Sequence, residues 1–205
     1  MGVLLIITGF IMIVLGVSVI LKKKLINRSE FPEKKEEQKL RLPNSKEESM
    51  KINKAKGDAF EKYIVKKFNQ TSFTITEWRS DKYTDGIYAI SNHFPDLEII
   101  FESKNENIKS KFAVECKWRN NYFKNEIQWA EDYQIVNYHA YAKKLNIPVI
   151  VIIGVGGKPS EPAALFLIPL HSLKSNSISK EELYQYRKED LAGRFFWSHS
   201  KMELN

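Results

Sequence analysis

Residues 112–119 read "FAVECKWR", and the face that each of these side chains takes decides how the rest of the chain is understood. In a strand, side chains alternate between the two faces of the sheet. Phe112, Val114, Cys116 and Trp118 then share one face, while Ala113, Glu115 and Lys117 share the other. A carboxylate and an ammonium stand side by side within an apolar strand. An isolated Glu-x-Lys is most simply a solvated pair. The same acid-x-Lys spacing starts at Glu33, Glu37 and Glu102, in charged stretches that read as solvent-exposed. Only at Glu115 is it set into apolar sequence.

Working upstream, "PDLEIIF" (95–101) and "KFAVECKW" (111–118) predict two antiparallel strands joined by the polar turn "ESKNENIKS". A hairpin centred near residue 107 sets Asp96 roughly opposite Trp118, within diagonal reach of Lys117. Two carboxylates and a lysine then converge at one end of the hairpin. Two anions in a partly buried cleft are costly unless a cation pairs with them. Hard oxygen ligands without His or Cys companions suit Mg²⁺ or Mn²⁺ rather than zinc.

Two other segments break local rules. Glu61 lies on a predicted helix (51–69) with Ile64, Val65 and Phe68 at helical spacing. That puts a carboxylate on the stripe that should face the core, or at its edge. Gln134 and Tyr138, in "QIVNY", are one turn apart on a helix predicted over 126–145 and point the same way. Taken alone, an amide packed on an aromatic ring is the simpler explanation of this pair. "SFTITEW" (72–78) and "AALFLIPL" (163–170) read as strands, and residues 180–190 as a short helix. "PVIVIIGV" (148–155) is a continuous apolar run, as expected of a strand buried on both faces. The order α-β-β-β-α-β predicts an α/β fold, a mixed sheet with helices on its faces.

These fragments together resemble the restriction-endonuclease-like nucleases, the PD-(D/E)xK superfamily. "GDAFE" is similar to the first-helix motif with Glu61 as its acid. "PD" supplies Asp96, "VECK" supplies Glu115 and Lys117, and "QIVNY" matches the Gln-x-x-x-Tyr box of RecB-type nucleases. The resemblance covers most of residues 55–155 in family order. It implies a metal-dependent phosphodiester hydrolase acting on nucleic acid, DNA ahead of RNA, with Mg²⁺ or Mn²⁺ as cofactor. Asp96 and Glu115 would hold the metal, helped by the backbone carbonyl of Cys116, with Glu61 in the outer shell. Lys117 would orient water or neutralise the phosphate, Gln134 would position the lysine or the phosphate backbone, and Tyr138 would support Gln134. The Gln box does not separate exo- from endonuclease action. A fold of this kind that only binds nucleic acid at the membrane is the alternative expectation.

Other chemistries find little support. "GVGGKP" has its first glycine misplaced for a phosphate loop, and Pro159 stands where Ser or Thr belongs. Asp81 and Asp85 are rival acids within a loop-like stretch. Histidines 93, 139, 171 and 199 lack metal-ligand spacing. Cys116, the single cysteine, offers no disulfide.

The 205-residue chain opens with 19 uncharged residues, 3–21, followed by Lys22, Lys23 and Lys24. A helix of that length reaches roughly 28 Å, close to a hydrocarbon core of about 30 Å. It predicts a single-pass anchor in the lipid bilayer (1–24), with the lysines holding the remainder in the cytoplasm. Residues 25–50 read as a charged tether and 51–205 as one domain. Residues 1–56 hold 12 Lys/Arg against 6 Asp/Glu, leaving 20 against 19 for the rest, so the basic excess belongs beside the membrane. Bulk charge therefore gives no argument for nucleic acid; only the site does.

Overall fold

The computed structural model describes residues 46–79 and 93–205, with the backbone of 83–84 and 87–88. The expected span at 3–21, its lysine flank and most of the tether lie outside the described residues, as do Asp81 and Asp85. Among the described residues no helix is long and apolar enough to cross a membrane. The chain divides into two units, 1–43 and 44–205, and every described residue belongs to the second.

The elements are α1 (Lys46–Val65), β1 (Phe73–Trp78), β2 (Tyr83–Thr84), β3 (Ile87–Tyr88), β4 (Leu97–Ser103), β5 (Ile108–Arg119), β6 (Glu126–Gln128), α2 (Asp132–Leu145), β7 (Val149–Val155), β8 (Ala164–Pro169), β9 (Ser177–Ser179), α3 (Lys180–Tyr184), β10 (Trp197–Ser198) and β11 (Glu203–Leu204). Helix α1 begins five residues before the expected 51. Glu47 and Glu48 in its first turn and Lys62 in its last complement the helix dipole.

Five strands form one sheet in the order β1-β4-β5-β7-β8. The β1–β4, β4–β5 and β7–β8 pairs are antiparallel, whereas β5 and β7 run parallel. A parallel pair needs a crossover, which here passes through β6 and α2. The expected mixed sheet with flanking helices is therefore found. All seven residues of β7 are buried, because both faces of the sheet are covered. On one face Phe60 and Ile64 of α1 pack with Phe112, Val114, Ile150 and Ile152. On the other, Tyr138 and Tyr141 of α2 pack with Ala113, Val151, Ile153 and Trp129. Trp197 near the C-terminus stacks on Phe112 at 4.2 Å and closes the first layer.

One glycine sets how closely α1 approaches. A Cβ built on Gly154 would stand 2.4 Å from the Phe60 ring, so the bare backbone admits that ring. Phe60 is wholly buried and adjoins Glu61.

Two expectations need correction. The helix predicted over 126–145 starts only at Asp132. Residues Glu126–Gln128 form a strand paired with Ser177–Ser179, so Ile127 is buried by sheet pairing instead of by helical periodicity. The hairpin is also tighter than expected. Ser103 pairs with Ile108 across a four-residue turn, and Asn107, at φ 51°, takes the left-handed conformation that closes it. Both strands run into the polar segment, where Glu102 and Lys109 face each other and pair at 2.5 Å. The register shifts accordingly: Leu97 lies opposite Val114, and Asp96 falls beside Glu115, not Trp118.

Candidate active site

The shift in register draws the carboxylates closer than the sequence suggested. Glu115 points to the α2 face and is 2% exposed. Its Oε1 accepts a hydrogen bond from the Tyr138 hydroxyl at 2.6 Å and lies 2.5 Å from Lys117 Nζ. Its Oε2 is buried and finds no hydrogen-bond partner among the described residues. A buried carboxylate oxygen left unsatisfied carries a desolvation penalty of about 1–3 kcal/mol or more. Such an orphan calls for explanation in a domain whose other buried acids are bonded.

Asp96 stands just before β4, and its Oδ2 accepts from the Cys116 backbone amide at 2.7 Å. Burial raises its carboxyl well above the usual range. The neighbouring Glu115 and then Glu61 raise it further, against the pull of Lys117 and the Cys116 amide. Burial pushes Lys117 down, but Glu115 and Asp96 outweigh it and hold the ammonium above its ordinary value. Two acids and one cation thus meet at this end of the sheet, and ionising both acids would leave negative charge in excess. The Cys116 side chain packs in the α1-side layer, as the alternation of "FAVECKWR" predicted. Burial and three nearby carboxylates raise its thiol well above its usual value, which leaves it a poor nucleophile.

Glu61 is 9% exposed on α1, and its Oε2 accepts from Trp78 Nε1 at 2.9 Å. It is felt electrostatically by both Asp96 and Cys116. The acid on the apolar stripe is therefore gathered to the same end of the sheet.

Gln134 and Tyr138 are placed differently from expectation. Tyr138 is buried and bonds Glu115, so it supports the acid and not Gln134. Gln134, three residues into the start of α2, turns its Oε1 to the Glu131 backbone amide at 3.0 Å, the reciprocal half of a capping arrangement. The two residues of this motif thus have separate jobs: Gln134 accepts at the helix cap, and Tyr138 donates to the acid.

A further buried acid lies outside the sequence motifs. Glu98 is 6% exposed and is bonded by the Arg79 guanidinium and the Tyr141 hydroxyl, and by Lys111 at 2.5 Å. Burial would raise its carboxyl, but those three donors hold it at about 2. Its signal in the sequence was an acid at an inward position of "PDLEIIF", two residues from Asp96 and so on the same face. Arg119 was also missed: it donates to the backbone carbonyls of Trp118, Gln128 and Trp129 at 2.7–3.1 Å. These bonds tie the end of β5 to the segment that leads into α2.

Among the described residues, no group of three or more Asp, Glu, His and Cys side chains is arranged to hold an ion by itself. The donor set is two carboxylates, one of them with an orphaned oxygen, to be completed by backbone carbonyl or water. That set fits Mg²⁺ or Mn²⁺, which keep several waters and take one or two carboxylates. It does not fit zinc, which asks for His or Cys.

No protein-family model matches the chain, and no curated protein matches it. Among solved structures it is similar to Hjc, a Holliday junction resolvase of the archaeal hyperthermophile Archaeoglobus fulgidus. The TM-score is 0.45 and the sequence identity 16%, over 69% of this chain and 98% of that one.

Proposed function

We propose that this chain is a divalent-metal-dependent nuclease that hydrolyses phosphodiester bonds of DNA at the Asp96–Glu115–Lys117 site. The observation that carries the reading is the buried, unpartnered Oε2 of Glu115, beside Lys117 and next to an Asp96 whose charge is disfavoured by burial and by the acids Glu115 and Glu61. An apolar pair would fill this position at lower cost, so the charges are best understood as kept for chemistry.

Asp96 and Glu115 would hold the ion, with the carbonyl of Cys116 as a backbone donor. A bound Mg²⁺ or Mn²⁺ supplies Lewis acidity toward a phosphodiester oxygen and lowers the pKa of a bound water. Tyr138 fixes the Glu115 carboxylate through Oε1, and Oε2 stays without a hydrogen-bond partner among the described residues. Lys117, 18% exposed, is held charged by the two acids and offers a cation to the phosphate as its negative charge grows. Glu61 adds negative potential from α1 and is itself oriented by Trp78. Gln134 acts first on the placement of α2 and thereby on Tyr138.

The test is incubation of plasmid, linear DNA and RNA with the protein, in Mg²⁺ and in EDTA. Cleavage of DNA that requires the metal is the expected result. Glu115→Ala should lose both cleavage and metal-dependent thermal stabilisation, while Lys117→Ala loses cleavage and keeps the stabilisation. Nucleic-acid binding with no metal-dependent cleavage would favour a binding-only adaptor. We further propose that residues 3–21 anchor the chain in the bilayer with this domain in the cytoplasm. Retention in the membrane fraction through carbonate extraction is expected, and release into the soluble fraction would refute the anchor.

A further inference from the structure

The segment that carries Asp96 has little regular structure of its own. Asp96 precedes the first paired residue of β4, and Pro95 has no N–H to donate. What grips this segment is Arg79, the residue after β1. Its backbone amide donates to the Asp96 carbonyl at 2.7 Å. Its Nη1 donates to the Pro95 carbonyl at 3.0 Å, and its Nη2 to the Glu98 carboxylate. The same guanidinium lies over the rings of Phe94 at 5.8 Å and Tyr141 at 5.7 Å. One side chain, 15% exposed, therefore touches the residues on both sides of Asp96 and leaves the Asp96 carboxylate to the Cys116 amide and the site.

The other end of Arg79 is equally constrained. Glu98 is bonded by Lys111 and by Tyr141, and Tyr141 lies three residues beyond Tyr138, on the same side of α2. One helix thus reaches both acids of the site: directly to Glu115 through Tyr138, and to Asp96 through Tyr141, Glu98 and Arg79.

We propose that Arg79, fixed by Glu98 and Tyr141, is a positioning residue that sets the Asp96 carboxylate for metal binding; this rests on the nuclease reading above. A role in stability alone explains the arrangement poorly. A buried ion pair gives little net stability over well-packed apolar residues, and the fork is divided between a carboxylate and a proline carbonyl. Partners that orient metal ligands commonly alter metal affinity or activity by about 10–100-fold when removed.

The experiment compares the full chain, in mild detergent, as wild type, Arg79→Met and Arg79→Lys. The melting temperature is followed against Mg²⁺ and Mn²⁺ concentration, alongside cleavage of linear DNA. Lysine keeps a cation beside Glu98 but cannot also fork to the Pro95 carbonyl. Both variants should raise the half-saturating metal concentration by at least about tenfold. Arg79→Lys should at the same time recover most of the metal-free melting temperature lost in Arg79→Met. If Arg79→Met does not fold, Arg79→Lys alone decides. A lower melting temperature with unchanged half-saturation would reduce Arg79 to a structural residue and overturn the proposal. So would recovery of metal response together with stability in Arg79→Lys, which would mean that charge suffices. A wild-type protein that responds to neither metal would overturn the metal-site reading itself, and this proposal with it.

Discussion

Replacing Tyr138 with phenylalanine removes one oxygen from the buried side of the site and preserves the ring that packs in the α2 layer. The lost contact is the 2.6 Å hydrogen bond to Glu115 Oε1. Bonds to charged groups contribute about 1.5–3 kcal/mol. The carboxylate retains Lys117, but neither of its oxygens then has a neutral donor among those the structure provides. In a unit spanning residues 44–205, each 1 kcal/mol shifts the melting temperature by about 2–4 °C, so Tyr138→Phe should lower it by roughly 3–12 °C. The functional consequence has a different origin. With Oε1 released, the carboxylate can rotate, so metal affinity should fall about tenfold or more. Thermal scans with and without Mg²⁺ separate the two effects, and cleavage of linear DNA at saturating and limiting Mg²⁺ checks the second. A melting temperature within 1 °C of wild type, together with unaltered metal dependence, would refute the idea that Tyr138 orients Glu115.

Gly154→Ala should destabilise the domain by about 1–3 kcal/mol, since the new Cβ meets the Phe60 ring at 2.4 Å. Because Phe60 adjoins Glu61, cleavage should fall as well; chemical denaturation and a cleavage assay on the same preparation read both. Glu61→Gln should leave the melting temperature nearly unchanged, as an amide oxygen can still accept from Trp78, yet slow cleavage by about tenfold. Activity equal to wild type would make Glu61 a structural acid. The low carboxyl of Glu98, about 2 against an ordinary 4.5, contributes stability that is fully present above pH 4.5. That contribution, about 3 kcal/mol, is lost as pH falls from 4.5 towards 2. Acid unfolding followed by circular dichroism should therefore show a component in this window that is missing in Glu98→Gln. An identical acid profile in the two proteins would contradict it.

The sequence by itself determined whatever depends on neighbours along the chain. Two-residue alternation put Glu115 and Lys117 on one face of β5 and Cys116 on the other, and the unbroken apolar run of 148–155 marked a strand covered on both sides. The charge on the apolar stripe singled out Glu61. These are local consequences of backbone geometry and survive any packing. Register was less legible, because the polar letters of 102–110 describe a turn and a charged cross-strand pair equally well. The left-handed Asn107 closes the turn early enough to bring Asp96 beside Glu115. The strand at Glu126–Gln128 was hidden for a similar reason: its partner lies some 50 residues away. Tertiary structure alone decided who holds whom. Tyr138 reaches Glu115 because α2 packs on that face of the sheet, and Gln134 is turned away to the cap by its place at the helix start. Arg79 meets Pro95 and Glu98 only because β1 pairs with β4. Hydrogen bonds between side chains from different elements depend on the rotation and separation of those elements to within a few tenths of an ångström, and no spacing along the chain encodes that distance.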